Sequence, residues 1–224
     1  MGNILKNLDW SVLTDILYYV IPALVCITLH ELAHGFVAYK LGDNTARRAG
    51  RLTLNPLRHI DPVGLLMMVI VHFGWAKPVP VDMRNFKNPK RGMAVTALAG
   101  PLANVLISLV SLLLYGFLYV FLYSSAAGGF VLNLIYITAY LSLSLAVFNL
   151  IPIPPLDGSK ILFSVISDRA YDQLMRYERY GMILLVVIMV TGALTNVLGT
   201  VLTFLFDRFF VVAQWANGLT LLFM

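Results

Sequence analysis

His30-Glu31-Leu32-Ala33-His34 is the stretch of this chain best fitted to do chemistry. Residues four apart on a helix share a face, so the two imidazoles can reach one cation, and Glu31 stands beside them to take a proton from water on that cation. Such a trio supports metal-assisted hydrolysis. Its surroundings sharpen the reading. Two histidines and a glutamate in an otherwise apolar helix are costly to bury, and ionisable groups there are functional by default.

A catalytic zinc needs a third protein ligand and an open position. The longer pattern that supplies a nearby third histidine is absent, because Val37 and Lys40 stand where its glycine and histidine belong. A downstream glutamate is disfavoured: besides Glu31 there is only Glu178, beside Arg176 and Arg179. The remaining candidates are Asp43, His59, Asp61, His72, Asp82 and Asp157, and spacing leaves the choice among them open. Asp157-Gly158 and Asp61-Pro62 read equally well as plain turns. His59, between Asn-Pro and Asp-Pro, reads as a hydrogen-bonded structural residue, and His72 carries still less signal.

The elements that must position these groups are membrane helices. The chain is 59% hydrophobic and 12% charged, roughly half the charge of a soluble domain. The apolar residues gather in long blocks, so the solvent of the fold is lipid. The first block runs from Trp10 to Leu41, contains Pro22 and stops at Gly42-Asp43-Asn44. The second runs from Gly92 to Tyr123, with Tyr115, Tyr119 and Tyr123 approaching its end as an interfacial belt. The third runs from Phe130 to Ile151 and leads into Pro152-Ile153-Pro154-Pro155-Leu156-Asp157-Gly158. The last, Gly181 to Ala213, is interrupted by Gly192, Asn196 and Gly199 and reads as one long helix or two shorter ones. This gives four spans, with up to six allowed. Between the first two blocks, Val63–Gly74 is apolar but too short to cross and suits a re-entrant segment. Arg51–Leu54 and Val79–Met83 alternate like short strands.

Of 16 Lys and Arg residues, ten lie between Lys40 and Arg91 and four between Lys160 and Arg179. Flanking apolar blocks in this way, they follow the positive-inside pattern of cytoplasmic loops and do not form a nucleic-acid surface. The N-terminus is then outside, Lys40 inside, the 124–129 connector outside and Asp157 inside, so the polar ends of the first and third helices face one leaflet. The N-terminal region reads as an uncleaved membrane segment, and the single cysteine, Cys26, has no partner for an intrachain disulfide.

HELAH in the first block, Gly100-Pro101-Leu102-Ala103-Asn104 in the second, and Asn149-Leu150-Ile151-Pro152-Ile153-Pro154-Pro155-Leu156-Asp157-Gly158 after the third together resemble the site-2 protease family of intramembrane zinc metalloproteases. The stretches from Asn55 to Gly64 and from Phe73 to Val81 look like its compact bacterial branch. The resemblance implies His30, His34 and Asp157 as ligands of one zinc ion and Glu31 as general base. It implies that Asn149, and with it Asn104, binds substrate or stabilises the oxyanion; the plainer reading of Asn104 is helix packing. It implies an all-α polytopic membrane protein with four to six transmembrane helices, and a re-entrant loop with short β elements between the first and second long helices. One domain would occupy residues 1–224, with a catalytic core over about 10–165, a C-terminal helical region over about 180–215, and no appended PDZ or CBS domain.

The activity implied is cleavage of transmembrane segments of membrane-anchored regulatory proteins or signal-peptide remnants, from an active site toward the cytoplasmic side of the cell membrane. The partners implied are the bilayer, a membrane-protein substrate and a regulatory membrane protein, with no nucleic acid. A substrate must be extended to be cut, and segments 50–54 and 79–83 offer an edge for β-addition. A transporter would instead string polar ligands along a pore, and a non-enzymatic scaffold would need no base at Glu31.

Overall fold

A computed structural model describes residues 10–62, 64, 76–167, 180–181, 183–188, 191–192 and 195–223. His72, most of Val63–Gly74 and Glu178 lie outside the described residues. The main helices are α1 (Trp10–Lys40), α2 (Pro89–Leu122), α3 (Ala126–Asn149), α4 (Asp157–Phe163) and α5 (Thr195–Leu222). Four of them, α1, α2, α3 and α5, are long and apolar enough to cross a membrane. Two helix starts are capped: the Asn88 side chain accepts from the Arg91 amide with Pro89 at the first position of α2, and Ser125 accepts from Gly128 at the start of α3. Helical residues 183–188 precede Gly192, which has a φ of +67°. The last apolar block is therefore broken before α5, as the two-helix reading expected.

The second helix shows why this bundle belongs in lipid. Leu102, Leu106, Val110 and Leu114 recur every fourth residue and are exposed, Leu106 at 62%. Gly100, Asn104, Ser108 and Leu112 recur with the same period on the buried face. The outward stripe is apolar and the inward stripe is mostly small or polar, the reverse of a helix on a water-soluble core. Lipid supplies no hydrophobic drive for helix association, so close packing of small residues and interhelical hydrogen bonds hold the bundle. One such bond joins α3 to α2: the buried Ser142 hydroxyl donates to the Asn104 carbonyl at 2.8 Å. Deeper along α2, Leu112 packs with Ala139 and Leu143 of α3 and Phe206 and Ala213 of α5.

The two stretches expected as short strands differ from that expectation. Residues 52–54 form bends, and 77–82 form neither helix nor strand. Among the described residues the only bridge is the isolated antiparallel pair Ile60 and Ala76. The physical reason lies in Pro78 and Pro80, which lack the amide donors a ladder needs. This stretch is pinned by individual bonds instead. The Lys77 amide donates to the His59 carbonyl at 2.9 Å, the Arg51 guanidinium to the Lys77 carbonyl at 2.6 Å, and the Asp82 amide to the Asp43 carboxylate at 2.7 Å.

Asp43 is buried just beyond the end of α1. Burial works to raise its pKa, but donors from Thr45, the Asp82 amide and Asn85 outweigh burial and hold the carboxyl below its ordinary value of 3.8. A depressed folded-state pKa stabilises the fold above the unfolded value, and the contribution is lost as pH falls through the folded one. The thermal stability of the wild type relative to Asp43→Asn is therefore expected to be constant between neutral pH and about pH 5, and to shrink below 3.8. Its size should be about 1.5–3 kcal/mol, that of hydrogen bonds to a charged acceptor. Melting curves of both proteins in detergent across that range check this; parallel curves down to the lowest pH would remove Asp43 from the account.

Candidate active site

The α1 helix presents His30, Glu31 and His34 on its buried side, and α4 begins with Asp157 after the proline-rich turn that follows α3. The three candidate ligand atoms meet. His30 Nε2 and His34 Nε2 each lie 3.1 Å from Asp157 Oδ2 and 3.0 Å from one another. The imidazoles stand edge to face, 4.5 Å between ring centres. Tetrahedral zinc with N and O ligands at 2.0–2.2 Å has ligand atoms about 3.3 Å apart. The observed triangle is within a few tenths of an ångström of that edge length, and its donor set, two imidazoles and one carboxylate, is one that catalytic zinc uses. The residues fit the ion.

The other described candidates for a third ligand have partners of their own. Asp43 holds the loop described above. Asp61 accepts from the Gly64 amide at 2.8 Å, and Asp82 caps a helical turn and pairs with the exposed Arg84 at 2.7 Å. His59 is buried with its Nε2 2.9 Å from the Thr53 carbonyl, the structural role expected for it. Among the described residues only His30, His34 and Asp157 group as metal ligands.

Glu31 is placed beside the triangle by a backbone group: the Val79 amide donates to Glu31 Oε2 at 2.8 Å. Both line a cavity of about 550 Å³ that also takes in the three ligands, Asn149 and Lys160. That volume is in the range of small-ligand and substrate sites. The Asn149 amide donates to its own helix at Leu145, 2.9 Å away. Asn104 stands elsewhere. It is fully buried behind His30, its side-chain amide 3.2 Å from Nδ1, and forms no part of the cavity wall.

Four contributors escape a reading of motifs. The Val79 amide and the Thr96 carbonyl, which takes His34 Nδ1 at 2.7 Å, act through backbone atoms. Lys160 Nζ lies 3.6 Å from the second carboxylate oxygen of Asp157, one helical turn on; that spacing was the available signal. Gly100 faces the ligands directly. A Cβ there would come within 2.6 Å of His30 Nε2 and closer still to His34 Nε2, so the position has room for hydrogen only. Its signal was the fourfold spacing Thr96, Gly100, Asn104.

Residues 116–194 match the pattern of Peptidase family M50. The Bacillus subtilis protein named "Putative zinc metalloprotease YwhC" is 39% identical over 78% of this chain and 80% of its own length. The chain belongs to Peptidase family M50, the site-2 proteases. Rip2 of Mycolicibacterium smegmatis, which carries the same description, is 30% identical over 77% of this chain and 66% of its own length. A zinc metalloprotease of Methanocaldococcus jannaschii is 29% identical over 73% of this chain, which spans 37% of that protein. No solved structure matches. An M50 chain of this composition is a multi-pass membrane protein and a zinc metalloprotease, with zinc as its cofactor.

Gly100→Ala isolates the steric claim. Alanine is the better helix former by about 1 kcal/mol, so α2 should persist while the methyl group invades the ligand triangle. Zinc content per chain after purification is expected to fall well below that of the wild type at unchanged helicity. Full zinc occupancy in the variant would show that the imidazoles do not need this gap.

Proposed function

We propose that this protease cleaves peptide bonds within the membrane, holding zinc on His30, His34 and Asp157 and using Glu31 as its general base. The observation that carries the reading is the meeting of three ligand atoms from positions 123 and 127 residues apart, all buried inside a bundle of membrane-spanning helices. When bound there, zinc supplies a Lewis acid that lowers the pKa of water and polarises a carbonyl. The chain does the rest. Glu31 takes a proton from the attacking water and returns it to the leaving amine. The Val79 amide fixes Oε2 and leaves Oε1 for that transfer. Lys160 holds Asp157 from the side away from the histidines. Asn149, on the cavity wall at the end of α3, orients the substrate chain or meets the developing oxyanion; its bond to Leu145 exchanges for one to substrate.

A helical substrate has its carbonyls bonded within the helix, so the scissile segment must enter extended. The scissile segment would lie alongside Ala76, Pro78, Val79 and Val81, which line the cavity. Addition of a full strand is constrained there, since Pro78 and Pro80 offer carbonyls but no donors and the Val79 amide is bound to Glu31. The substrate class is the transmembrane segment of a membrane-anchored regulatory protein or a signal-peptide remnant. The basic loops after Lys40 support a site toward the cytoplasmic face. A straight α1 sets His34 about 9 Å below Lys40. One membrane-embedded domain carries the activity, with a regulatory membrane protein as a further partner.

Glu31→Gln keeps an acceptor for the Val79 amide but cannot take a proton. It should bind zinc as the wild type does and cut a model transmembrane substrate about 10²–10⁴-fold more slowly. His34→Ala and Asp157→Ala should lose zinc itself. Metal stoichiometry and turnover measured on the same purified samples separate the two roles, and wild-type turnover by Glu31→Gln would reject the base.

A further inference from the structure

A histidine presents Nε2 to a metal as a lone pair only if its proton sits on Nδ1, and what Nδ1 faces decides that. For His34 the answer is direct. Nδ1 lies 2.7 Å from the Thr96 carbonyl, which can only accept, so the proton is on Nδ1 and Nε2 is free. For His30 the partner is the Asn104 amide, 3.2 Å away. Asparagine offers an acceptor at one end and a donor at the other, and which end faces a neighbour is settled by the surrounding network. With the nitrogen toward His30, Nδ1 must accept, the ring proton moves to Nε2, and Nε2 can no longer ligate. In that orientation the buried Asn104 Oδ1 also has no hydrogen-bond donor at all. With the oxygen toward His30, Nδ1–H gains an acceptor, Oδ1 gains a donor, and Nε2 turns its lone pair to the ion.

We infer that Asn104 is a positioning residue whose side-chain oxygen holds His30 in the Nδ1–H tautomer, so that one face of α2 sets the tautomers of both zinc-binding histidines. The inference rests on the ligand reading proposed above. The two acceptors, Thr96 and Asn104, are eight residues apart on α2, with Gly100 midway providing the close approach. Asn104 is itself braced. It is fully buried, and its backbone carbonyl takes the Ser142 hydroxyl of α3 at 2.8 Å. This role differs from substrate contact, for which Asn104 is out of reach, and from helix packing, which would accept any side chain of similar volume.

The experiment compares zinc affinity, by chelator competition, for the wild type, His30→Ala, Asn104→Asp and Asn104→Leu, with thermal melting of the chelated proteins. Histidine ¹⁵N spectra of the chelated proteins, assigned through the small number of histidines, read the tautomer. Asp offers only acceptors to Nδ1, and Leu offers nothing. Asn104→Asp is expected to bind zinc as tightly as the wild type or tighter and to keep the Nδ1–H signal. Asn104→Leu should lose about 10–100-fold in affinity and shift His30 toward a mixture of tautomers. Loss of zinc by Asn104→Asp, or wild-type affinity in a folded Asn104→Leu, would overturn the inference. If Asn104→Leu does not fold, Asn104→Asp and the chelated wild type decide: a donor role predicts that the Asp variant loses zinc, a packing role predicts no His30 Nδ1–H signal in either protein, and either result overturns the inference. Unchanged affinity in His30→Ala would instead sink the ligand reading, which keeps the two failures apart.

Discussion

Three electron-rich atoms, two imidazole nitrogens and a carboxylate oxygen, lie within 3.1 Å of one another in the buried interior of a lipid-facing bundle. Polar groups removed from water cost several kcal/mol unless they are bonded, and atoms that each present a lone pair repel. A cation at their centre reverses the sign of that interaction, and in a low-dielectric setting the attraction is strong. Other features of the site can be read as consequences. Something must bring α4 to α1, keep the rings pointing inward, and keep space between them free of atoms.

The second helix does most of this, at the expense of its own core. A soluble protein would fill the inner stripe of such a helix with leucine. Here the positions nearest the site are Thr96, Gly100 and Asn104, and the leucines are outside. Because lipid is as apolar as leucine, moving leucine outward loses little, and the inner face is free to carry hydrogen-bonding groups and a glycine. Farther along α2, where no chemistry is done, the packing returns to ordinary apolar contacts around Leu112 with α3 and α5. One helix thus serves as scaffold at one end and as a support for the candidate metal ligands at the other.

What could be read from the sequence follows which atoms do the work. Side chains with a fixed spacing were legible: His30, Glu31 and His34 on one helical face, and the four long apolar helices. Asp157 was not legible from spacing, since an Asp-Gly after prolines is equally a turn. Only its company with the other motifs singled it out, and the structure then placed it against the histidines, while the other described candidates are bonded to other groups. Backbone partners were invisible. The Val79 amide and the Thr96 carbonyl have no side-chain signature, so no pattern in residue types reports them. The alternation in Arg51–Leu54 and Val79–Met83 misled because period two marks extended chain, not pairing, and prolines at 78 and 80 remove the donors that pairing needs. Asn104 lay between these cases: its identity was visible, but its place behind His30 was set by how α1 and α2 cross.

The proposed base depends on a stretch of the chain with neither helix nor strand. Glu31 sits on a rigid helix, but its carboxylate is aimed by Val79, and Val79 is held by bonds at either side of it. On one side the Lys77 amide and carbonyl are tied to His59 and Arg51; on the other the Asp82 amide is tied to Asp43. Pro78 and Pro80 restrict the backbone between those ties, so little conformational entropy remains to be lost when the amide meets Glu31. Asp43 lies just past the end of the same helix that bears Glu31. The loop therefore leaves α1 at its end, and returns to it at the catalytic turn, closing a ring whose geometry is fixed at two points on one rigid body. A carboxylate so placed is held relative to the histidines on the same helix, which preserves the relation between the proposed proton acceptor and the candidate metal ligands.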